Sequence, residues 1–196
     1  MLDRLNARPR VLALHAHDFE GMFRDLRELG RALGLDSRPL ERRLRDRIAR
    51  VRRRARGLPR RRVFCMEWFD PPFTSGHWVP EMVEMAGGRD GLALEKRDSR
   101  RVEWSEIEAF APEALILMPC GFTMKRAERE LPVLRARPEW GRLPAVRAGE
   151  VYLVDGPSYF NGAGPRLVDG LEILAEILHP EAFPRRRRRG WRRVRP

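Results

Sequence analysis

Residues 63–88, VFCMEWFDPPFTSGHWVPEMVEMAGG, constrain the fold of this chain more than any other stretch. The run 63–68 carries a single charge, at Glu67, and reads as a strand buried on both faces. An aromatic and proline-rich loop, 69–76, follows. A helix over about 77–86 then stops at Gly87-Gly88, because glycine takes the left-handed C′ conformation without a Cβ clash. Pro80 falls in the first turn of that helix, where its missing N–H would find no partner anyway. Strand, loop and helix in this order set the loop at the carboxyl edge of an α/β sheet, where such folds bind ligands. The loop and its flanks carry Trp68, Phe69, Phe73, His77 and Trp78. Large apolar faces with few polar atoms suit a flat organic ligand better than a phosphate.

The chain on either side supplies the rest of such a domain. Residues 114–118 are a continuous apolar run, a buried parallel strand whose edge loop is 119–122; Thr123 caps a helix running to about Leu134. Before it, Ser105 and Glu108 match a capping box for a short helix stopped by Pro112. Ala145-Val146 and 151–154 read as short strands around a Gly149 turn, 155–164 as a third edge loop, and 165–178 as the last helix, with Pro165 at N1. Residues 89–101 are polar and read as a surface loop. Towards the N-terminus, 10–14 reads as a short strand and Asp18 as an N-cap. Phe19, Met22, Phe23, Leu26, Leu29 and Leu33 then share one helix face, and Leu40, Leu44, Ile48, Val51, Ala55 and Leu58 mark a second helix restarted at Ser37 and Pro39. The fold class is α/β: a Rossmann-like, mainly parallel sheet with flanking helices over 62–184, preceded by a long helical segment at 18–58. Its three edge loops present Phe73, Trp78, Phe122, Tyr159 and Phe160 together.

The net charge of +12 invites a nucleic-acid reading, but its distribution opposes one. Residues 1–62 carry 19 arginines against 8 acidic groups and residues 185–196 carry 8 arginines, whereas 63–184 hold 13 basic against 20 acidic groups. The α/β part is therefore acidic. No aromatic residue interleaves the basic run at 42–62, as a base-stacking platform would require. The tail 185–196 has no core-forming pattern and is expected to be disordered.

Catalytic motifs are missing: no G-x-S-x-G, no H-E-x-x-H and no G-x-x-x-x-G-K-[ST]. Cys65, mid-strand, reads as an inert buried thiol. Cys120 and a distant His77 are the residues left as candidates for a nucleophile–base pair or for metal ligation, with no orienting third group evident.

With these residues in view, the order strand, E-W-x-D-P at 67–71 and H-W-V-P-E-M-V-E-M-A-G-G at 77–88 resembles the second lobe of class III substrate-binding proteins of ABC importers. The nearest branch is the one named cobalamin-binding, or vitamin B12-binding. LILMPCGF at 115–122, GEVYLVDG at 149–156 and YFNGAGPRLVDGLEILAEILHPE at 159–181 extend the resemblance over most of 63–183. It implies a non-enzymatic protein of two α/β lobes joined by one long helix, holding a corrinoid between them, or in sister branches a haem or an iron–siderophore complex. It implies no intrinsic cofactor, an ABC permease as partner, and a periplasmic setting. By position, Phe73 and Phe122 match rings laid against the corrin, and Tyr159, Phe160 and Arg166 match the segment near the ligand. Trp68 and Trp78 belong to the same expected wall. Glu128 resembles the glutamate that docks onto permease arginines, with Glu130 as second choice.

The chain departs from that pattern at its start. Residues 1–17 look like a remnant of the first lobe and 18–58 like the linking helix. The expectation is a truncated protein, or one whose first lobe comes from a separate chain. Residues 1–20 do not read as a signal peptide, so the chain is expected to be cytoplasmic if complete as given. No apolar run is long enough to span a bilayer. An uncovered stripe at Phe19, Met22, Phe23 and Leu26 is then expected to drive self-association. The alternative reading is a cytoplasmic α/β module that binds nucleotide or nucleic acid through its basic helix and tail.

Overall fold

The run read as a doubly buried strand becomes β1 (Arg61–Phe69), the spine of a sheet with six strands among the described residues. The computed structural model describes residues 11–184 and 190–195. β2 (Pro72–Thr74) folds back antiparallel onto the carboxyl half of β1, and β3 (Gly88–Arg89) runs parallel to Arg61 and Arg62. On the other side of β1 follow β4 (Ala114–Leu117) and β5 (Val151–Val154), both parallel, and then β6 (Trp191–Arg193), antiparallel at the edge. The helices are α1 (Phe19–Leu33), α2 (Arg38–Ala55), α3 (Val79–Met85), α4 (Trp104–Phe110), α5 (Met124–Arg135), α6 (Pro144–Arg147), α7 (Gly156–Tyr159) and α8 (Leu167–Leu178).

Side chains alternate across a strand, so β1 feeds two cores. Val63 and Cys65 join Ile116 and Val154 under α1, α2, α3 and α8. Phe64 and Met66 join Leu115, Leu117 and Leu153 under α4, α5 and α6. All four β1 residues are fully buried, which is why the run is apolar without alternation. The helix starts follow capping chemistry. Asp18 Oδ1 accepts from Gly21 N at 2.6 Å, and Thr123 Oγ1 accepts from Arg126 N at 3.3 Å.

Several expectations are corrected. The capping box of α4 is Glu103 with Glu106, not Ser105 with Glu108: Glu106 accepts from Glu103 N at 2.8 Å, while Trp104 is drawn into the core. Glu108 pairs instead with Arg142 at 2.5 Å. Ala145 and Val146 lie in α6, because Pro144 pre-sets the first helical position. Residues 11–14 form no strand and lie exposed, and Arg10 is outside the described residues. The expectation of a disordered tail does not hold over 190–195. The Trp191 ring packs edge-on against Tyr152 at 5.6 Å, its Nε1 donates to Glu176 Oε2 at 3.3 Å, and Val194 is buried. The remaining tail positions, 185–189 and 196, are outside the described residues.

The stripe expected to lie open is core. Phe19, Met22 and Phe23 are no more than 3% exposed and share one cluster with Leu44, Ile48 and Val51 of α2 and with the sheet. Arg47 of α2 fastens the helices to α8, with Nη2 2.5 Å from Asp169 and 2.7 Å from Glu172. Leu26 packs partly against the same cluster, whereas Leu29 and Leu33, further along the stripe, are 40% and 62% exposed, so only its first two turns are core.

Candidate functional site

β1, β4 and β5 all end at the same sheet edge, where the three loops meet. The second loop extends the pairing with β1: Met118 N donates to Met66 O at 2.9 Å, and Cys120 N to Glu67 O at 3.0 Å. The first and third loops are stitched by the Trp78 indole, whose Nε1 donates to Phe160 O at 2.7 Å. The convergence read from the sequence is thus made by backbone and indole hydrogen bonds.

Trp68 stands at the centre of this edge. It is 39% exposed, its ring meets Phe122 edge-on at 5.2 Å, and its Nε1 donates to Asp70 O at 3.2 Å. The Arg126 guanidinium lies 3.7 Å from the Phe122 centroid, a cation–π contact that fixes that ring. Hollows flank Trp68 on both sides. One, of about 220 Å³, is lined by Trp68, Phe69, Pro119, Phe122, Glu130 and Val133. The other, of about 300 Å³, is lined by Glu67, Trp68, Phe73, Ser99 and Cys120. Burial pushes the Glu67 carboxyl up, against a hydrogen bond from Ser99 that pulls it down. Cys120 is exposed, whereas Cys65 is buried and burial pushes its thiol well up.

The expected wall residues divide into two groups. Trp68, Phe73 and Phe122 come together around the hollows, with Phe122, itself only 8% exposed, forming part of the core beneath Trp68. Trp78 and Phe160 lie one layer behind, 8% and 2% exposed, where they hold the loops. Tyr159 is half-buried against the same core, and Arg166 is exposed at the N-cap of α8. Glu130 lines the first hollow, while Glu128 is ion-paired with Arg192 of β6. No hydrogen bond among the described residues joins Cys120 to His77. His77 turns elsewhere: its Nε2 is 3.2 Å from Asp98 Oδ1, and its ring stacks on His17 at 5.2 Å with a 15° interplanar angle. Sequence reasoning missed Glu67, His17, Asp98 and Ser99. The last two sit in the segment read as an undifferentiated polar loop. Its one usable signal is Gly76, where a Cβ would lie 2.5 Å from Ser99 N, so only glycine lets the two loops touch.

Among known sequences, a family model described as periplasmic binding protein matches residues 3–157. The uncharacterised ABC transporter substrate-binding lipoprotein YvrC of Bacillus subtilis is 24% identical over 176 residues, 86% of this chain and 53% of its own length. A periplasmic binding protein from Veillonella parvula is similar in structure, with a TM-score of 0.70 and 25% identity over 83% of this chain and 57% of that one. A periplasmic heme binding protein from Pseudomonas aeruginosa superposes with a TM-score of 0.70 at 23% identity, covering 91% of this chain and 67% of that one. The chain spans little more than half the length of the first two relatives.

Proposed function

Because this chain belongs to the periplasmic binding protein family, we propose that it is the C-terminal ligand-binding lobe of an ABC importer's substrate-binding protein, with a corrinoid of the cobalamin type as cargo. The observation that carries this reading is Trp68, a large ring left open between two hollows at the edge where three loops converge. A flat macrocycle laid on that ring, with Phe73 and Phe122 beside it, would direct its peripheral groups into the hollows. Tyr159 and Arg166 border the same edge, and Trp78 and Phe160 support it from behind. The role is binding and release rather than catalysis, and no intrinsic cofactor is required. The haem-binding relative supports the same class of ligand, a planar metal chelate. A first lobe, from a separate chain or a longer protein, would close over the other face. Glu128 and Glu130 are the proposed contacts to a permease, in the extracytoplasmic setting usual for the family. Among the described residues no helix is long and apolar enough to cross a membrane.

A nucleotide or nucleic-acid module gains little support. Part of the basic surface is neutralised in cis: Arg45 by Glu20 and Glu41, Arg47 by Asp169 and Glu172, and Arg61 and Arg193 by Glu150.

The test is calorimetry with cyanocobalamin, haem and a ferric siderophore as separate arms. The isolated chain leaves one ligand face in water and is expected to bind weakly or not at all. The chain supplied with the missing lobe is expected to bind cyanocobalamin measurably, and Trp68→Ala to weaken that binding by about tenfold or more, as loss of an aromatic anchor does. Thermal unfolding checks that the variant stays folded. No heat from the two-lobe protein at high micromolar cyanocobalamin overturns the corrinoid assignment, and silence in all three arms overturns the chelate class.

A further inference from the structure

We infer that His17, His77 and Asp98 form a binding site for a divalent cation of the late first-row transition series, of which Zn²⁺ is the working probe. Their donor atoms all lie within 4.8 Å of one another. The His77–Asp98 contact is 3.2 Å, and the His17 and His77 rings are nearly parallel at 5.2 Å. Zinc holds nitrogen and carboxylate oxygen at about 2.0–2.2 Å, so its ligands sit about 3–3.5 Å apart. His17 and Asp98 are exposed, so their side chains have room to close from 4.8 Å towards that spacing. Two imidazoles and one carboxylate suit zinc, nickel or copper rather than calcium or magnesium, which prefer oxygen.

Three separate parts of the chain bring the donors together, and each is pinned. His17 immediately precedes the Asp18 cap of α1, where Phe19 N donates to Glu81 Oε2 at 3.1 Å. His77 lies between β2 and α3. Asp98 lies in the segment facing it. His77 N donates to Arg97 O at 2.6 Å, and Lys96 N to His77 O at 3.1 Å. The tight approach of Gly76 to the 97–99 backbone holds the same two segments together. Lys96 reaches Asp18 at 3.0 Å, which ties the segment to the start of α1 and directs the ammonium to that carboxylate.

His77 also has φ 55°, the left-handed region that a residue with a Cβ occupies only at a cost. The two backbone bonds hold it there, and the imidazole faces Asp98 and His17 as a result. A strained backbone that directs a side chain into a donor cluster is what a preorganised ligand set requires. The His77–Asp98 contact alone gives the second imidazole no role, whereas a cation takes a nitrogen from each ring. His17 and Asp98 are exposed, so coordination positions beyond the three donors face outward, open to water or to a donor group of another molecule. None of the three residues lines either hollow beside Trp68, so the site does not rest on the chelate reading.

The experiment is calorimetric titration of ZnCl₂ into the tag-free full chain, stripped with a chelator, near neutral pH. One ion per chain is expected, with affinity lower by more than about 10-fold in His17→Ala and in Asp98→Asn, since loss of an outer-shell partner alone costs about that much. Both changes are at exposed side chains, and circular dichroism checks the fold. Zinc should raise the Tm of the wild type but not of His17→Ala. Cys120→Ser should bind as the wild type does. No binding at high micromolar zinc, equal affinity in both variants and the wild type, or loss of binding in Cys120→Ser overturns the site.

Discussion

Asp90→Asn is expected to stabilise the fold at neutral pH and to flatten its pH dependence. The Asp90 carboxyl is tucked behind β3, where Oδ1 accepts from Leu92 N at 3.3 Å and Ala93 N at 3.1 Å, and Oδ2 accepts from Ser75 Oγ at 3.2 Å. Burial outweighs these bonds and pushes the carboxyl from 3.8 up to about 6. The sign follows from linkage. Below pH 3.8 the group is protonated in both folded and unfolded states and costs nothing. As pH rises towards 6, the unfolded chain releases its proton more readily, so folded stability falls, and the loss is complete once the folded group has ionised. A displacement of about two pH units corresponds to at most about 3 kcal/mol, less because the residue is partly exposed. Asparagine keeps an acceptor for the two backbone N–H groups and offers an N–H to Ser75 Oγ, with no charge to bury. We expect the variant to exceed the wild type by about 1–3 kcal/mol near pH 7 and to lose that advantage near pH 4. Urea unfolding of both proteins across this range measures the difference. Carboxyls held low, Asp18 against its burial by the Gly21 backbone N–H and then Lys96, and Glu20 by Arg45, titrate alike in both proteins and cancel. A gap that does not change with pH, or a variant less stable at neutral pH, refutes the assignment.

Phe23→Ala removes a ring that is 1% exposed, covered by the Arg45 guanidinium at 4.1 Å, and is expected to cost roughly 3–5 kcal/mol. Urea unfolding measures this, and a variant as stable as the wild type would mean α1 is not part of the core. Trp191→Ala breaks the edge contact with Tyr152 and the bond to Glu176, and is expected to cost about 1–3 kcal/mol. It should also release β6, so that the Asp155 amide, which donates to Gly190 O at 2.8 Å, exchanges faster. Unchanged protection at that amide would show β6 held by other contacts.

Much of the architecture is legible without coordinates, and particular residues show why. The unbroken apolar run at 63–68 requires cover on both faces, and it has two cores. Asp18, Thr123 and Pro80 act locally, through hydrogen bonds or fixed φ within a few residues, so their places at helix starts can be read directly. Packing overrides the local signal at α4. Ser105 is the N-cap that residue type favours, yet the cap falls at Glu103, with Trp104 buried. Arg-rich composition hid Trp191 and Val194, whose partners, Tyr152 and the core under β5, lie about forty residues away.

The sequence by itself determined most of the alternation of strands and helices, the caps at Asp18 and Thr123, the buried runs and the three edge loops, because each depends on neighbours in the chain. Tertiary structure alone decided which aromatic faces remain open. Trp68 and Trp78 lie in one stretch of similar composition, yet Trp68 is 39% exposed and Trp78 is 8% exposed with its indole bound to Phe160 O. It also decided that His17, His77 and Asp98 meet, since sixty residues separate the first two. Such long-range meetings carry no periodicity, because they are set by loop closure and by the clearance that Gly76 provides, and neither leaves a local pattern to read.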